Sequence, residues 1–242
     1  MPTHKKIIIV MPAYNAGRTI GSVLERIPLS LVKRIFQIII VNDGSTDDTG
    51  AVIEELKEKY KKIKILTHPK NRGYGAAQKT GFKEAVKEGA DIGVLLHSDG
   101  QYAPEIMHTL LDPFEYGYDV VQGSRMLAGG ALKGGMPLYK YFGNKFLTLL
   151  ENFAYGLNMA EYHSGYMLYS KKALITIPFE KLSNTFHFDG EMLLMAAKKK
   201  LRIKEVPIPT RYSTEKSHLN PFTYGIDVLK IIYRNWRGKY DF

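Results

Sequence analysis

The chain has 242 residues, 45% of them hydrophobic, 24% charged and none of them cysteine, which suits a folded globular protein and excludes disulfides and thiolate metal sites. Thirty-four Lys and Arg against 24 Asp and Glu leave a formal charge of +10, a balance that favours an anionic partner: nucleic acid, an anionic membrane surface or phosphorylated small molecules. The apolar stretch at residues 7–11 is too short for the core of a signal peptide, and no run reaches the length of a membrane span; the expectation is a cytoplasmic chain that can touch a membrane peripherally.

Taken in order, short β-branched runs alternate with stretches of helical spacing. Ile7-Ile8-Ile9-Val10, Ile38-Ile39-Ile40-Val41, Ile63-Lys64-Ile65-Leu66, Ile92-Gly93-Val94-Leu95-Leu96 and Val120-Val121 are mostly continuous apolar segments, as in strands buried on both faces of a parallel sheet. Between them, Val52, Ile53, Leu56 and Tyr60 share one helical face and Ala77, Gly81, Ala85 and Val86 another. This alternation predicts a doubly wound α/β sheet. Beyond Arg125 the pattern loosens. Residues 128–135 read as a mobile, glycine-rich loop, 138–156 as a strongly apolar helix, 189–200 as a helix, and 203–209 as an edge strand closed by prolines.

With no internal repeat and no long linker, one domain over residues 1–242 is expected. Its last stretch, 221–237, carries Phe222, Ile226, Leu229, Tyr233 and Trp236 at spacings of four and three, with Lys230, Arg234 and Arg237 off that stripe. It is an amphipathic helix by pattern. Packing of the stripe on the chain's own core is the favoured reading; the alternative is an interfacial helix lying on a bilayer, its basic residues facing anionic lipid.

Ligands of an open parallel sheet bind beyond the carboxyl ends of its strands, and the unusual segments fall there: Pro12-Ala13-Tyr14-Asn15, Asn42-Asp43-Gly44-Ser45-Thr46-Asp47, Asn71-Arg72-Gly73, His97-Ser98-Asp99-Gly100-Gln101 and Gly123-Ser124-Arg125. Any one of them is an ordinary turn or helix cap; five in succession at one rim are not. Asp43 can accept hydrogen bonds from a ribose or a base. Gly73 and Gly75, with Arg72 and Lys79 nearby, permit backbone approach and positive charge for a phosphate. Asp99 and Gln101 offer oxygen ligands to a hard divalent ion, Mg²⁺ or Mn²⁺, shared with a diphosphate.

The order and spacing of these segments resemble the family 2 glycosyltransferases of the GT-A fold. Ser164-Gly165-Tyr166 and Phe188-Asp189-Gly190-Glu191 extend the likeness, which runs from about residue 7 to about residue 217. Within that family the chain is most similar to the dolichol- or polyprenyl-phosphate sugar synthases. The resemblance implies a three-layer αβα, Rossmann-like fold with a mostly parallel sheet and helices on both faces. It also implies an inverting transfer of a hexose from a UDP- or GDP-sugar to a lipid phosphate at the cytosolic membrane face. By the same resemblance, Pro12, Ala13, Tyr14, Asn15, Asp43, Gly73, Lys79, Ser98 and Asp99 would hold the nucleotide sugar. Asp99 and Gln101 would bind the metal. Arg125 and Arg211 would receive the acceptor phosphate with Lys140, Asn144 and Lys216.

An acceptor phosphate is already anionic, leaving catalysis to positioning and charge neutralisation. A hydroxyl acceptor on a glycan or protein would need a base, for which Glu191 is the candidate; a helix N-terminal carboxylate is its other reading. Relatives often carry aspartate where this chain has His97, and arginine where it has Lys140 and Met167. A nucleotide-sugar-binding module with weak catalysis is therefore a further alternative. A dinucleotide dehydrogenase lacks its glycine fingerprint here, and nucleic-acid binding ranks last for want of a recognition motif. A membrane-spanning partner subunit is left open. His163, His187 and His218 are expected to be local hydrogen-bonding residues, and Met192, Leu193 and Met195 core.

Overall fold

A computed structural model describes residues 5–209 and 221–242. Seven strands form one sheet in the order β3-β2-β1-β4-β6-β5-β7: β1 (Ile7–Ala13), β2 (Ile35–Asn42), β3 (Ile63–Thr67), β4 (Ile92–Leu95), β5 (Val120–Ser124), β6 (Met167–Ser170) and β7 (Ile203–Pro207). The helices are α1 (Ile20–Glu25), α2 (Leu29–Arg34), α3 (Thr49–Lys59), α4 (Tyr74–Lys87), α5 (Met107–Leu111), α6 (Gly130–Lys133), α7 (Leu138–Tyr155), α8 (Lys171–Thr176), α9 (Phe188–Lys198) and α10 (Pro221–Trp236). Strands β1 to β4 pair in parallel, as does β5 with β7; among the described residues only β6 runs antiparallel, between β4 and β5.

The continuous apolar runs are explained by two cores, one on each face of the sheet. Ile8, Val10, Ile39 and Val41 face one core with Phe82 of α4 and Leu193 of α9, while Ile7, Ile9, Met11 and Ile40 face the other with Val23 and Ile53. Successive strand residues point to opposite faces, so a strand covered on both sides can spare no polar position. Helix α4 lies unusually close to the sheet at Gly81, where an added Cβ would fall 2.2 Å from Val10 Cγ1. In sequence order β1 is followed by β2 on one side and β4 on the other, so the crossovers diverge at β1 and β4 and open a crevice at their carboxyl ends.

Two expectations change, at the 128–135 loop and on α10. The 128–135 loop contains the short helix α6, with Ala131 fully buried. Helix α7 is present where expected, but buries only Thr148 and Glu151 and leaves Phe142, Phe146, Leu149 and Phe153 exposed. On α10 the stripe Phe222, Ile226, Leu229, Tyr233 and Trp236 does not pack on the core; it faces outward, Trp236 at 81% exposure, while Val228 and Ile231 turn inward. The hydrophobic period locates an apolar face but not what covers it. Edge strand β7 and the buried Met192, Leu193 and Met195 are as expected. Among the described residues no helix is long and apolar enough to cross a membrane.

Candidate active site

The rim segments converge, and hydrogen bonds between them show how. The N–H of Asp43 donates to Ala13 O at 2.8 Å, continuing the β1–β2 ladder past both strand ends. Ser98 Oγ donates to Pro12 O at 2.8 Å, tying the end of β4 to β1. Asn15 is held left-handed at φ 51°, where asparagine is one of the few tolerated residues; its N–H reaches Ser45 Oγ and its Oδ1 accepts Thr46 N–H at 2.9 Å. The loops after β1 and β2 are thus laced into one wall, with the Tyr14 ring half exposed above it.

Asp43 is almost wholly buried and already well supplied with donors. Oδ1 accepts from Arg72 N–H at 3.0 Å and His68 Nδ1 at 2.6 Å, and Oδ2 from Gly73 N–H at 2.9 Å. Since an ionised carboxylate only accepts, His68 donates from Nδ1, and its Nε2 lies 2.9 Å from Thr80 Oγ1. Asp43 therefore builds the 71–73 turn besides facing the crevice. His68 escaped the sequence reading although it lies two residues beyond the third apolar run and directly after β3, a position that could have marked it as a rim residue.

Gly73 and Gly75 do allow a close backbone approach, but the approaching chain is the protein's own. A Cβ at residue 73 would fall 2.5 Å from Asn184 O and one at residue 75 would fall 2.5 Å from Ser183 O, while Gly75 N–H donates to Asn184 O at 2.8 Å. The 183–184 segment thereby takes a donor at the start of α4 that a phosphate was expected to use. Lys79 is likewise redirected: its ammonium donates to Leu182 O and to Asn184 Oδ1, and burial lowers its pKa.

Glu191 is not placed to act as a base. It is buried, accepts Ser183 N–H at 2.6 Å and the Tyr240 hydroxyl, and sits in the first turn of α9. It fastens the chain's last residues to the core, close to the alternative reading of a carboxylate at a helix N-terminus.

On the metal side, Asp99 and Gln101 are both exposed, and Asp99 Oδ1 accepts Gln101 N–H at 3.0 Å. Among the described residues no group of three or more His, Asp and Glu side chains is arranged to hold a metal. One carboxylate and one amide oxygen fit a hard divalent ion only when a diphosphate and water supply the remaining oxygens, the usual arrangement for Mg²⁺.

Two residues expected on the acceptor side, Arg125 and Asn144, meet on a residue the sequence reading passed over. Arg125 Nε lies 2.9 Å from Glu161 Oε1, its Nη2 also reaches Glu161, and its N–H donates to Oε2. Asn144 Nδ2 donates to the same Oε1 at 3.0 Å. Burial pushes the Glu161 carboxyl upward, but the charge and hydrogen bonds of Arg125 outweigh it and hold the group below its ordinary value. Glu161 is in turn set by Glu205 of β7, which accepts the N–H groups of residues 160 and 161 at 2.7 and 3.2 Å. Lys140 is half-buried near the start of α7. Arg211 and Lys216 lie outside the described residues.

One segment joins the two halves. Arg125 Nη2 donates to His163 O at 2.6 Å, and two residues on Gly165 packs against His97. His97 Nε2 lies 2.6 Å from Tyr74 Oη, which also bonds Asp189 Oδ2 at 2.8 Å. Burial lowers the His97 pKa although Asp99 opposes this, and burial pushes Asp189 up to about 7 against the hydrogen bonds of Tyr74 and Gln78.

A family model described as glycosyl transferase family 2 matches residues 8–177. A UDP-N-acetylglucosamine–dolichyl-phosphate N-acetylglucosaminyltransferase of Methanococcus voltae is 34% identical across 95% of this chain and 94% of its own. A polyprenol monophosphomannose synthase of Mycolicibacterium smegmatis is 27% identical across 86% and 77% respectively. Among solved structures, glucosyl-3-phosphoglycerate synthase from Mycobacterium tuberculosis in complex with uridine diphosphate superposes with a TM-score of 0.70 at 19% identity, covering 94% of this chain and 79% of the other. That likeness is one of fold.

Proposed function

The chain belongs to glycosyl transferase family 2, and from that premise we propose that it moves a hexosyl unit from a UDP- or GDP-sugar to the phosphate of a dolichyl or polyprenyl lipid. The observation that carries this reading is the 161–165 segment, which holds Arg125 and Asn144 through Glu161 at one end and meets His97 through Gly165 at the other. A cationic acceptor side is thereby brought against the segment that leads to Asp99. Two relatives named above support it, one a dolichyl-phosphate N-acetylglucosaminyltransferase and the other a polyprenol monophosphomannose synthase.

In this reading Pro12, Tyr14, Asn15 and Asp43 line the nucleoside wall and Arg125 faces the acceptor phosphate, aided by Asn144, Lys140, Arg211 and Lys216. Asp99 and Gln101 would hold a divalent ion with the donor diphosphate. When bound, such an ion neutralises charge on the departing nucleoside diphosphate. The chain's own part is to align a phosphate oxygen with the anomeric carbon and to offset like charges while they approach. A phosphate needs no proton removed at neutral pH, whereas a hydroxyl acceptor would require a base, and Glu191 is committed to Ser183 and Tyr240. The phosphate reading is favoured on that ground.

A lipid acceptor requires a membrane surface. Helices α7 and α10 pack together, Gly225 lying against Leu147 and Asn235 Nδ2 donating to Ala154 O. They expose Phe142, Phe146, Phe153, Tyr233 and Trp236, with Lys140, Lys145, Lys230 and Arg234 on the same helices. Aromatic and basic side chains in this combination suit peripheral docking on an anionic leaflet.

The test is transfer of labelled sugar from UDP- and GDP-sugars to dolichyl phosphate in the presence of Mn²⁺ or Mg²⁺, with Asp99→Ala as control. Lipid-linked product from the parent chain and none from the variant is expected. Transfer to a free hydroxyl acceptor with the lipid phosphate inert would overturn the assignment.

A further inference from the structure

Helix α7 turns polar side chains inward. Its buried residues are Thr148 and Glu151, while Phe142, Phe146, Leu149 and Phe153 face outward. The inner stripe grips one short stretch of chain. Asn144 Nδ2 donates to Glu161 Oε1 at 3.0 Å, and Asn152 pairs with the backbone N–H and carbonyl of Met159, both at 2.8 Å. Between these contacts Glu151 Oε2 stands 3.2 Å from His163 Nε2, within ion-pair reach although the two are not in line for a hydrogen bond.

The other nitrogen of that ring is met from α10. His163 Nδ1 lies 3.1 Å from Tyr224 Oη, and the two rings meet edge to face at 5.4 Å. Tyr224 is fixed in turn by stacking at 4.4 Å on His187, the residue before α9. His187 Nε2 lies 3.7 Å from Asp227 Oδ2, about one turn further along α10. With a neighbour at each nitrogen and 9% exposure, the His163 imidazole is held in one orientation. The carbonyl of the same residue accepts Arg125 Nη2 at 2.6 Å, beside the contacts of that guanidinium with Glu161.

We propose that His163 is a positioning residue for Arg125, its imidazole held between Tyr224 of α10 and Glu151 of α7, so that the two outward-facing helices and the acceptor-side cation form one unit. Docking of α7 and α10 on a leaflet then sets the height of Arg125 above the headgroups. This fits an acceptor phosphate that lies in the membrane surface, a consequence that rests on the lipid-phosphate reading above. Polar contacts suit the task because they specify register. An apolar inner face would let α7 slide, whereas a buried polar group must meet its partner to offset the loss of water.

The test uses variants that spare the surrounding packing. Tyr224→Phe deletes the hydroxyl and keeps the ring stacked on His187. His163→Ala removes the imidazole, and His163→Asn places an amide near the position of Nδ1. Dolichyl phosphate is presented in vesicles of equal parts phosphatidylcholine and phosphatidylglycerol. Its KM should rise several-fold in Tyr224→Phe and His163→Ala, up to about tenfold for one hydrogen bond. The donor KM, kcat and binding to the same vesicles should change little, and His163→Asn should recover part of the loss. The double variant should be no worse than His163→Ala, because both changes act by one route.

An acceptor KM unchanged in both single variants of an active chain would overturn the proposal. So would a loss spread equally over donor KM, kcat and acceptor KM, the mark of a merely structural residue. If His163→Ala fails to fold, Tyr224→Phe decides. A second readout needs neither donor nor lipid: the ¹⁵N-labelled Nε–H signal of Arg125, assigned through Arg125→Lys, should shift in Tyr224→Phe. A shift in a chain that transfers no sugar to lipid phosphate would sustain the link and remove the functional reading. An unmoved signal in such a chain would remove both.

Discussion

Arg125 and Glu161 are bound twice over, the guanidinium Nε lying 2.9 Å from Oε1 and the Arg125 backbone N–H 2.8 Å from Oε2. The carboxylate is fully buried while the Arg125 side chain keeps 18% exposure, so the pair is a buried anchor for a cation that still reaches the surface. Removing one member of such a pair is costly because the other remains desolvated. Glu161→Ala is expected to destabilise the fold by about 3 kcal/mol in urea unfolding, the lower end of the range for buried pairs, and to raise the KM for lipid phosphate more than that for the donor. Because the Glu161 pKa is depressed, its contribution is present above the ordinary glutamate value and fades as pH falls through the folded one. The penalty of the variant should therefore shrink in acid.

Asp189 has the opposite sign. Its folded pKa, about 7, lies above the unfolded value, so its protonated form stabilises the native state most at low pH. That contribution is lost as pH rises from about 4 to about 7. The loss amounts to as much as about 4 kcal/mol at about 1.4 kcal/mol per pKa unit. Thermal denaturation of Asp189→Asn across this window should show a flatter dependence than the parent chain. Parallel curves would mean that Asp189 does not titrate there.

Gly75 is tested by the smallest addition. A Cβ would lie 2.5 Å from Ser183 O and 3.0 Å from Asn184 Cα, both backbone atoms that cannot swing aside. Gly75→Ala should cost about 1–3 kcal/mol through overpacking, lowering Tm by about 2–4 °C per kcal/mol. An unchanged Tm would show that the 183–184 segment does not cover the start of α4.

The exposed helix faces call for a binding measurement. Phe153 is 93% and Trp236 81% exposed, so exchanging both for glutamate removes little native packing. Burial of one large apolar side chain is worth about 1.5–3 kcal/mol. The double variant should therefore lose at least about tenfold in partitioning to anionic phospholipid vesicles at nearly unchanged Tm. Equal partitioning would place the membrane contact elsewhere.

Much of the fold could be read locally. The runs at Ile7, Ile38, Ile92 and Val120 became β1, β2, β4 and β5 because a strand covered on both faces must be apolar throughout, and that demand is written in consecutive residues; the Ile63 run became the half-buried edge strand β3. The rim segments were legible because strand ends in a doubly wound sheet fall at one edge. Strand β6, Met167–Ser170, has no β-branched residue and so did not stand out among the β-branched runs.

The sequence by itself determined the layered α/β architecture, the rim and the family, since each depends on order and spacing along the chain. Tertiary structure alone decided partnership and cover. It set Glu161 behind Arg125 at a separation of 36 residues, turned Lys79 toward Asn184, locked Glu191 to Tyr240 and left the apolar stripes of α7 and α10 facing outward. A charged side chain acts according to what it meets in space, and a hydrophobic period says that a face seeks cover without saying which surface supplies it.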